Sequence, residues 1–545
     1  MRIETTVDSY RPLLINNIFN YYGNNGSGSY NPFSHTNEGF EFLIGQNTHL
    51  VYEDGMVWGG FQSGFDGPKV GGSAYRHGLQ PGRILIKGSS TNGPVADNPL
   101  NPAYRVFRVR PDVNPAVDTT GVLVTLEREE VPYIGRYENM NAHDILHQYL
   151  KDWNEWPAAM GAPYSDVDGD GQYNPAIDIP GQPGADETLW YVANDLDSIR
   201  AASFAGSPPI GLEVQKTIWA YKRNMGALTT SIFVRTILMN KSGVPIDSMF
   251  LLQWSDPDIG DAGDDFVGCD TTRAMGYSYN GNSVDAVYGA SSPALGCVVL
   301  EGPHIPSPGN SALFLGRRLS GMANLSMGSF SFSTNGPWVP YQEPTSSADW
   351  YNVMNGLTIH GLPFIDPVTS TPTKFPLSGD PGRGNDGSIG WVDGMFGNAP
   401  FDRKFSLASG PFTMANGDTQ ETIVATIGAQ GADPIASVYA LKAGCDKVRE
   451  SFEGLITALR MDQQDARLSG FALEQNYPNP FNPRTGIRGQ WSGDSWVRLV
   501  VYDVLGREVA ELANGRYPGG RYSFTFDGTS LASGVYFYRL TAGNF

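Results

Sequence analysis

Short apolar segments alternate with clusters of Gly, Asn, Ser and Pro along most of the chain, and this pattern predicts strands joined by turns. In residues 1–135 such segments include Leu50-Val51-Tyr52, Met56-Val57-Trp58, the run 104–109 and Val122-Leu123-Val124-Thr125-Leu126. A second series holds the strand candidates 218–221, 231–238 and 248–254, with a turn at Asn240-Lys241-Ser242-Gly243. Read in order, these form an antiparallel meander of the kind found in sandwiches and jelly rolls. Residues 300–400 are rich in Gly, Pro, Ser and Asn and predict long loops with a few short strands. Phe405-Ser406-Leu407 and the run 422–427 then close the β region around a turn at Asn416-Gly417-Asp418.

Two stretches have helical periodicity instead. Over 142–155, Asn141 is a cap and Ile145, Leu146, Tyr149, Leu150 and Trp153 form an apolar stripe. Over 434–460, Asp433 caps, Pro434 suits the first turn, and Ile435, Val438, Leu441, Cys445, Val448, Phe452 and Leu455 recur on one face. The predicted divisions are a β-rich region 1–135, a helix and acidic-loop segment 136–210, a β-sandwich region 211–460 ending in the amphipathic helix, a polar linker 461–472, and a compact domain 473–545. The fold class is all-β and mainly antiparallel: a large sandwich or jelly-roll-like region with one or two helices, then a small immunoglobulin-like sandwich.

Composition adds limits. With 545 residues, 40% of them hydrophobic, the chain exceeds one ordinary core and has the material for folded ones. A net charge of −19 repels phosphate backbones, which argues against nucleic acid as a partner. Cys269, Cys297 and Cys445 are too few for a disulfide framework, match no zinc spacing, and read as small buried hydrophobes. No apolar run reaches the ~20 residues of a membrane-spanning helix. Residues 1–12 lack the apolar stretch of a signal peptide, so an exported protein of this sequence is expected to have lost its leader.

The C-terminal segment carries an ordered set of motifs. Residues 471–483 read FALEQNYPNPFNP, and within them stand Asn476, Tyr477, Pro478, Asn479, Pro480, Phe481, Asn482 and Pro483. A middle motif, VYDVLGREV, contains Asp503 and Gly506, and a late motif, GVYFY, starts at Gly534. The segment resembles the type A sorting domain of cargo of the type IX secretion system of the Bacteroidota and their relatives. The resemblance implies an immunoglobulin-like sandwich, the type IX machinery as partner, and a secreted or cell-surface location. The residues agree: Val497, Leu499 and Val501 alternate with Arg498, Val500 and Tyr502, Asp503 to Gly506 makes a turn, and the prolines favour an extended edge. Family members run on past Gly-Asn-Phe into another strand. A sandwich without it would have an open edge, which suggests homo-oligomers or filaments through β-strand contacts; a trimmed end is the alternative. The stretches 254–261, 264–270 and 409–412 also resemble uncharacterised large secreted proteins with the same sorting domain, which adds nothing on activity.

Candidate chemistry is mostly acidic. Asp166, Asp168 and Asp170 alternate, Gly171 follows, and Gln172, Asn174 and Asp178 complete the pattern of a calcium loop of the dockerin and thrombospondin-repeat kind, lacking EF-hand helices. A solvated Asp/Gly turn is the alternative. Asp256, Asp258, Asp261, Asp264, Asp265 and Asp270 crowd fifteen residues with Arg273 as the near counter-charge; either calcium, one ion or two, or a solvated acidic loop accounts for them. His143 and His147 share a helix face, as a metal pair or as exposed residues. No elbow serine, zinc-protease or phosphate-loop motif occurs, and the expectation is no enzyme. Paired carboxylates of a glycosidase leave no sequence signature, and Trp190, Trp219, Trp254, Trp338, Trp350 and Trp391 either stack on sugars or fill cores. The function predicted is a secreted, calcium-stabilised structural or adhesive surface protein, with a filament or sheath as a variant. The alternative is a polysaccharide-binding or polysaccharide-degrading protein acting on a surface glycan.

Overall fold

A computed structural model describes residues 8–33, 39–44, 48–89, 91–116, 118–222, 226–335, 341–383, 390–465, 472–473, 475–476, 479–481, 483–491, 495–517 and 520–543. The chain divides into two units, Met1–Ser451 and Phe452–Phe545.

The first unit is built on two antiparallel sheets. One runs in the order Tyr10–Leu13, Ile18–Gly23, Phe40–Phe42, His49–Gln62, Ile246–Pro257, Arg403–Met414, Ser329–Thr334, with Lys69–Gly72 also on His49–Gln62. The other runs Asp265–Asp270, Met275–Asn280, Ala294–Glu301, Thr419–Ala429, Ser231–Asn240, Leu212–Ala220, Glu187–Asn194, Gln80–Pro81, with Phe107–Val109 also on Glu187–Asn194. Their inner faces share one core, to which the first sheet gives Trp58, Leu251 and Phe405 and the second gives Tyr191, Val214 and Cys297. The sheets approach closely at Gly276, where a Cβ would stand 2.4 Å from Leu407 Cδ2. All three cysteines are free and buried, as small hydrophobes would be.

The predicted meander is corrected here. Leu212–Ala220 and Ser231–Asn240 do pair. After the turn at 240–243, however, Ile246–Pro257 crosses to the other sheet and pairs with His49–Gln62 and Arg403–Met414. Arg403–Met414 and Thr419–Ala429, on either side of the turn at 416–418, likewise join different sheets. Each of these strands is apolar on the face it buries, and a local pattern does not say against which sheet.

Helices cover the sheets. Ala142–Asn154 forms as expected, with a capping box between Asn141 and Asp144. The predicted strand at 122–126 is instead part of the helix Thr119–Glu129. Asp118 caps it, Val122 and Leu126 face the core one turn apart, and Val124 is exposed. A short run of branched residues fits both periods, and packing against Ile145 and Tyr149 decides the case. Residues 300–400 hold more structure than predicted: a hairpin of His304–Phe314 with Arg317–Asn324, and the helix Ser347–Met354, capped by Ser346 and Asp349. The hairpin is largely exposed, so it carries no apolar alternation to read. The long helix spans Pro434–Asp465, past the predicted end at 460 and into the predicted linker. Val438, Leu441, Cys445, Val448 and Phe452 are buried and Ile435 half-buried; the Leu455 side chain lies outside the described residues.

The second unit is a small sandwich of two three-stranded antiparallel sheets. One has the order Ala472–Leu473, Arg484–Trp491, Gly520–Asp527, and the other Glu508–Tyr517, Ser495–Tyr502, Phe537–Ala542. Its core includes Ile487, Trp491, Val497, Leu499, Val501, Phe526 and Leu540.

Candidate functional sites

Three adjacent strand ends of the first sheet build an open basin of about 590 Å³. Asp256, at the end of the central strand, pairs with Glu53 on one side. On the other side Ser255 pairs with Phe405, which sets Lys404 beside Asp256. Asp258 follows Asp256 by two residues and Asp402 precedes Lys404 by two, so each pair shares a side of its strand's line. The register with the central strand shifts between Glu53 and Val51, and Tyr52 is the extra residue. A bulge re-aims its side chains, so the consecutive residues Tyr52 and Glu53 both line the basin. A tight loop bridged between Ser73 and His77 adds Tyr75 and His77, and Tyr30 closes one side.

The polar groups are bonded to each other. His77 Nε2 lies 2.7 Å from Glu53 Oε1, and its Nδ1 lies 2.9 Å from Asn25 Nδ2. An amide nitrogen donates, so Nδ1 accepts and Nε2–H points at the carboxylate. The Tyr75 hydroxyl donates to Asp256 Oδ2 at 2.5 Å, and its ring packs edge-on against Trp254 at 4.7 Å. Burial, with the Asp256 charge behind it, raises the Tyr75 pKa. Lys404 Nζ is 3.5 Å from Asp256 and 3.3 Å from Glu343, and it also pairs with Asp402. Burial works against the Lys404 ammonium, but Asp256, Asp402 and Glu343 outweigh it and raise its pKa. Desolvation pushes the Asp256 carboxyl well above its usual range, Lys404 opposes this, and Asp258 adds to it.

The structure thus divides the second acidic cluster. Oxygens of Asp256, Asp258 and Asp402 lie within 4.8 Å of one another, with Lys404 as the counter-charge that sequence order hides. Asp264 accepts from Asn280 and Asn282, and Asp261 accepts from the Gly263 N–H. Asp265 is buried and accepts from the Ile259 N–H. Arg273 pairs with Asp270 and Asp446.

The first acidic cluster forms an exposed loop closed by pairing of Tyr164–Ser165 with Ile179–Pro180. Oxygens of Asp166, Asp168 and Asp178 lie within 4.8 Å of one another. Gly169 and Gly171 take left-handed φ of 75° and 77° and donate to Asp166 at 2.7 and 2.9 Å. Asp178 is buried and accepts from Val167 and Asn174 at 2.8 and 2.7 Å. Asp170 turns onto the Gln172 N–H, and Asn174 onto the Ala176 N–H. Three convergent carboxylates on a glycine-shaped loop are hard oxygen donors of the type calcium takes. His143 and His147 are both exposed, and among the described residues neither belongs to a group of three metal-ligating side chains.

In the second unit the sequence motifs converge. The Asn476 N–H donates to the Tyr538 hydroxyl at 2.9 Å, and Asn476 Nδ2 to Thr485 Oγ1 at 3.0 Å. Phe481 packs on Phe526, ring centres 5.6 Å apart, and the Pro483 carbonyl accepts from Gly528. Asn476, Asn479, Pro480 and Phe481 line a groove of about 640 Å³ with Gly534 and Tyr536. Asp503 accepts from the Leu505 and Arg507 N–H groups, and Gly506 turns the chain at φ 77°. Tyr477, Pro478 and Asn482 lie outside the described residues.

A two-sheet sandwich with these motifs is an export address. Residues 475–545 match the family described as the secretion system C-terminal sorting domain, which makes the chain a cargo of type IX secretion, secreted or displayed at the cell surface. Among the described residues no helix is long and apolar enough to cross a membrane. No curated protein matches the chain. A solved polysaccharide lyase aligns over 61% of this chain and 32% of its own, at 8% identity and a TM-score of 0.18. The chain therefore spans about a third of that protein's length, and a likeness this slight carries neither fold nor chemistry.

Sequence reasoning found Asp256 and Asp258 but missed Tyr30, Tyr52, Glu53, Tyr75, His77, Glu343, Asp402 and Lys404. The tryptophans it offered for sugar stacking are buried at 190, 219, 254, 350 and 391, and Trp338 lies outside the described residues.

Proposed function

We propose that this secreted protein is a cell-surface module of the structural or adhesive kind that holds an extracellular polysaccharide in the Tyr-lined basin, with calcium at the Asp166–Asp178 loop as a stabiliser. The basin supports the binding role. Tyr30, Tyr52 and Tyr75 are half-buried and flank carboxylates that accept hydrogen bonds from sugar hydroxyls. In the acidic loop, Asp166, Asp168 and Asp178 are the residues that would hold calcium, and a bound ion would neutralise their charges. Titration of the full chain with a panel of soluble polysaccharides tests the binding role: one class binds, and Tyr52→Ala weakens it at least tenfold. Equal binding by wild type and Tyr52→Ala would overturn the assignment to this basin.

A second reading, cleavage of the same polymer, is favoured by the hydrogen-bonded pairs Tyr75–Asp256 and His77–Glu53, each joining a proton donor to an acceptor in the basin. New reducing ends released from the bound polysaccharide would establish it, and an intact polymer after prolonged incubation leaves binding alone.

A further inference from the structure

The basin has an uneven charge. Five carboxylates, Glu53, Asp256, Asp258, Glu343 and Asp402, line it with one lysine, Lys404. That lysine is already committed to three of them, its side chain 2% exposed, and His77 is committed to Glu53. Asp256 is 3% exposed and its Oδ1 accepts no hydrogen bond; Lys404 Nζ stands 3.5 Å away as an ion-pair partner only. The half-buried carboxylates Asp258, Glu343 and Asp402 line the same open cavity. Beside it are the ring of Tyr75 and, in edge-to-face contact at 6.1 Å, the ring of Tyr52. Aromatic faces beside a cavity in which carboxylates outnumber cations attract an ammonium group and repel a polyanion.

We propose that the basin selects glycans bearing free amino groups, such as glucosamine oligomers, over neutral and uronate glycans. This rests on the reading of the basin as a glycan site and names the ligand within it. The amino group sits among Asp258, Glu343 and Asp402, and the sugar ring lies against the tyrosines. The acidic field gives the amine its advantage, so the preference weakens with salt.

The test is calorimetric titration of the full chain, in calcium-containing buffer at low and high salt, with glucosamine, N-acetylglucosamine and glucuronate oligomers of equal length. The glucosamine oligomer is expected to bind about tenfold more tightly than its acetylated form. The gap closes at high salt, and glucuronate gives no heat. Asp258→Asn narrows the gap by lowering affinity for the amine more than for its acetylated form. Glu343→Gln, on a separate segment at the rim, gives the same readout should Asp258→Asn fail to fold. Equal binding of the amino and acetylated oligomers, a gap that survives both substitutions, or preferred binding of glucuronate would overturn the inference and leave the glycan site standing. Heat from none of the three, with none from the wider polysaccharide panel, would remove the glycan reading as well.

Discussion

In the first unit Arg108 is fully buried, with Glu130 at 3.0 Å and Glu187 at 2.5 Å, and Arg110 joins Glu130 at 2.6 Å. Tyr149, from the helix Ala142–Asn154, donates to both glutamates. In the sorting domain, Arg498 pairs with Glu508 and Glu511 at the surface, 36% exposed, and Arg484 and Arg507 are 71% and 73% exposed. The contrast follows from size. Two large sheets and their covering helices can enclose a charged network and use it to fix helices onto a strand end. Two three-stranded sheets have too thin a core to desolvate a charge, so they bury aliphatic and aromatic groups and leave ions in water. Burial works against the Arg108 cation, and Glu130 and Glu187 more than reverse that, so its pKa is raised.

The contrast breaks first, and most heavily, at that network. Arg108→Ala leaves Glu130 and Glu187 buried without their cation and is expected to cost ~3–5 kcal/mol. Denaturant titration should show the loss in the transition of the first unit, with that of the sorting domain unmoved. Loss from both transitions would mean the units do not melt separately.

Calcium removal is next. With free calcium ~100-fold above its dissociation constant, the ion adds ~2.7 kcal/mol, so chelator lowers the melting temperature of the first unit alone. Asp168→Asn abolishes the difference between the calcium and chelator curves. Identical curves for the wild type would end the calcium assignment.

Acidity separates the units further. Burial raises Asp54 to about 6, against Lys216 and Ser29, and raises Asp195 to about 6, against three backbone N–H groups. A carboxyl raised on folding contributes stability that is complete below the unfolded value of ~4 and is lost as pH rises through about 6. Each therefore favours the first unit by ~1 kcal/mol on going from pH 7 to pH 5. Asp195→Asn should flatten that gain, as read from melting curves at the two pH values. In the sorting domain, by contrast, hydrogen bonds from Arg507 hold Asp503 below its usual value, so this group loses its bonus on acidification.

The smallest effect is expected at the surface of the sorting domain, where Arg498→Ala should leave the melting curve unchanged. A clear shift there would show that exposed pairs matter to the small sandwich after all.

How much could be read in advance depended on the range of the contacts. The helix cap at Asn141, the turn at Asp503 to Gly506, and Gly171 of the acidic loop act within a few residues, and each stands where the residue pattern put it. The strand Ser495–Tyr502 showed its buried face by alternation. The run 122–126 was misread because its residue types suit both helix and strand, and the choice lay with partners on another helix.

The amino-acid sequence by itself determined the export address, the β-rich character and the acidic loop, because each depends on neighbours along the chain. Only the tertiary structure decided which sheet each strand joined, that Lys404 would balance Asp256, and that a bulge would bring Tyr52 and Glu53 to one basin. Those choices rest on contacts between residues more than a hundred positions apart, whose energies exist only once the strands are assembled.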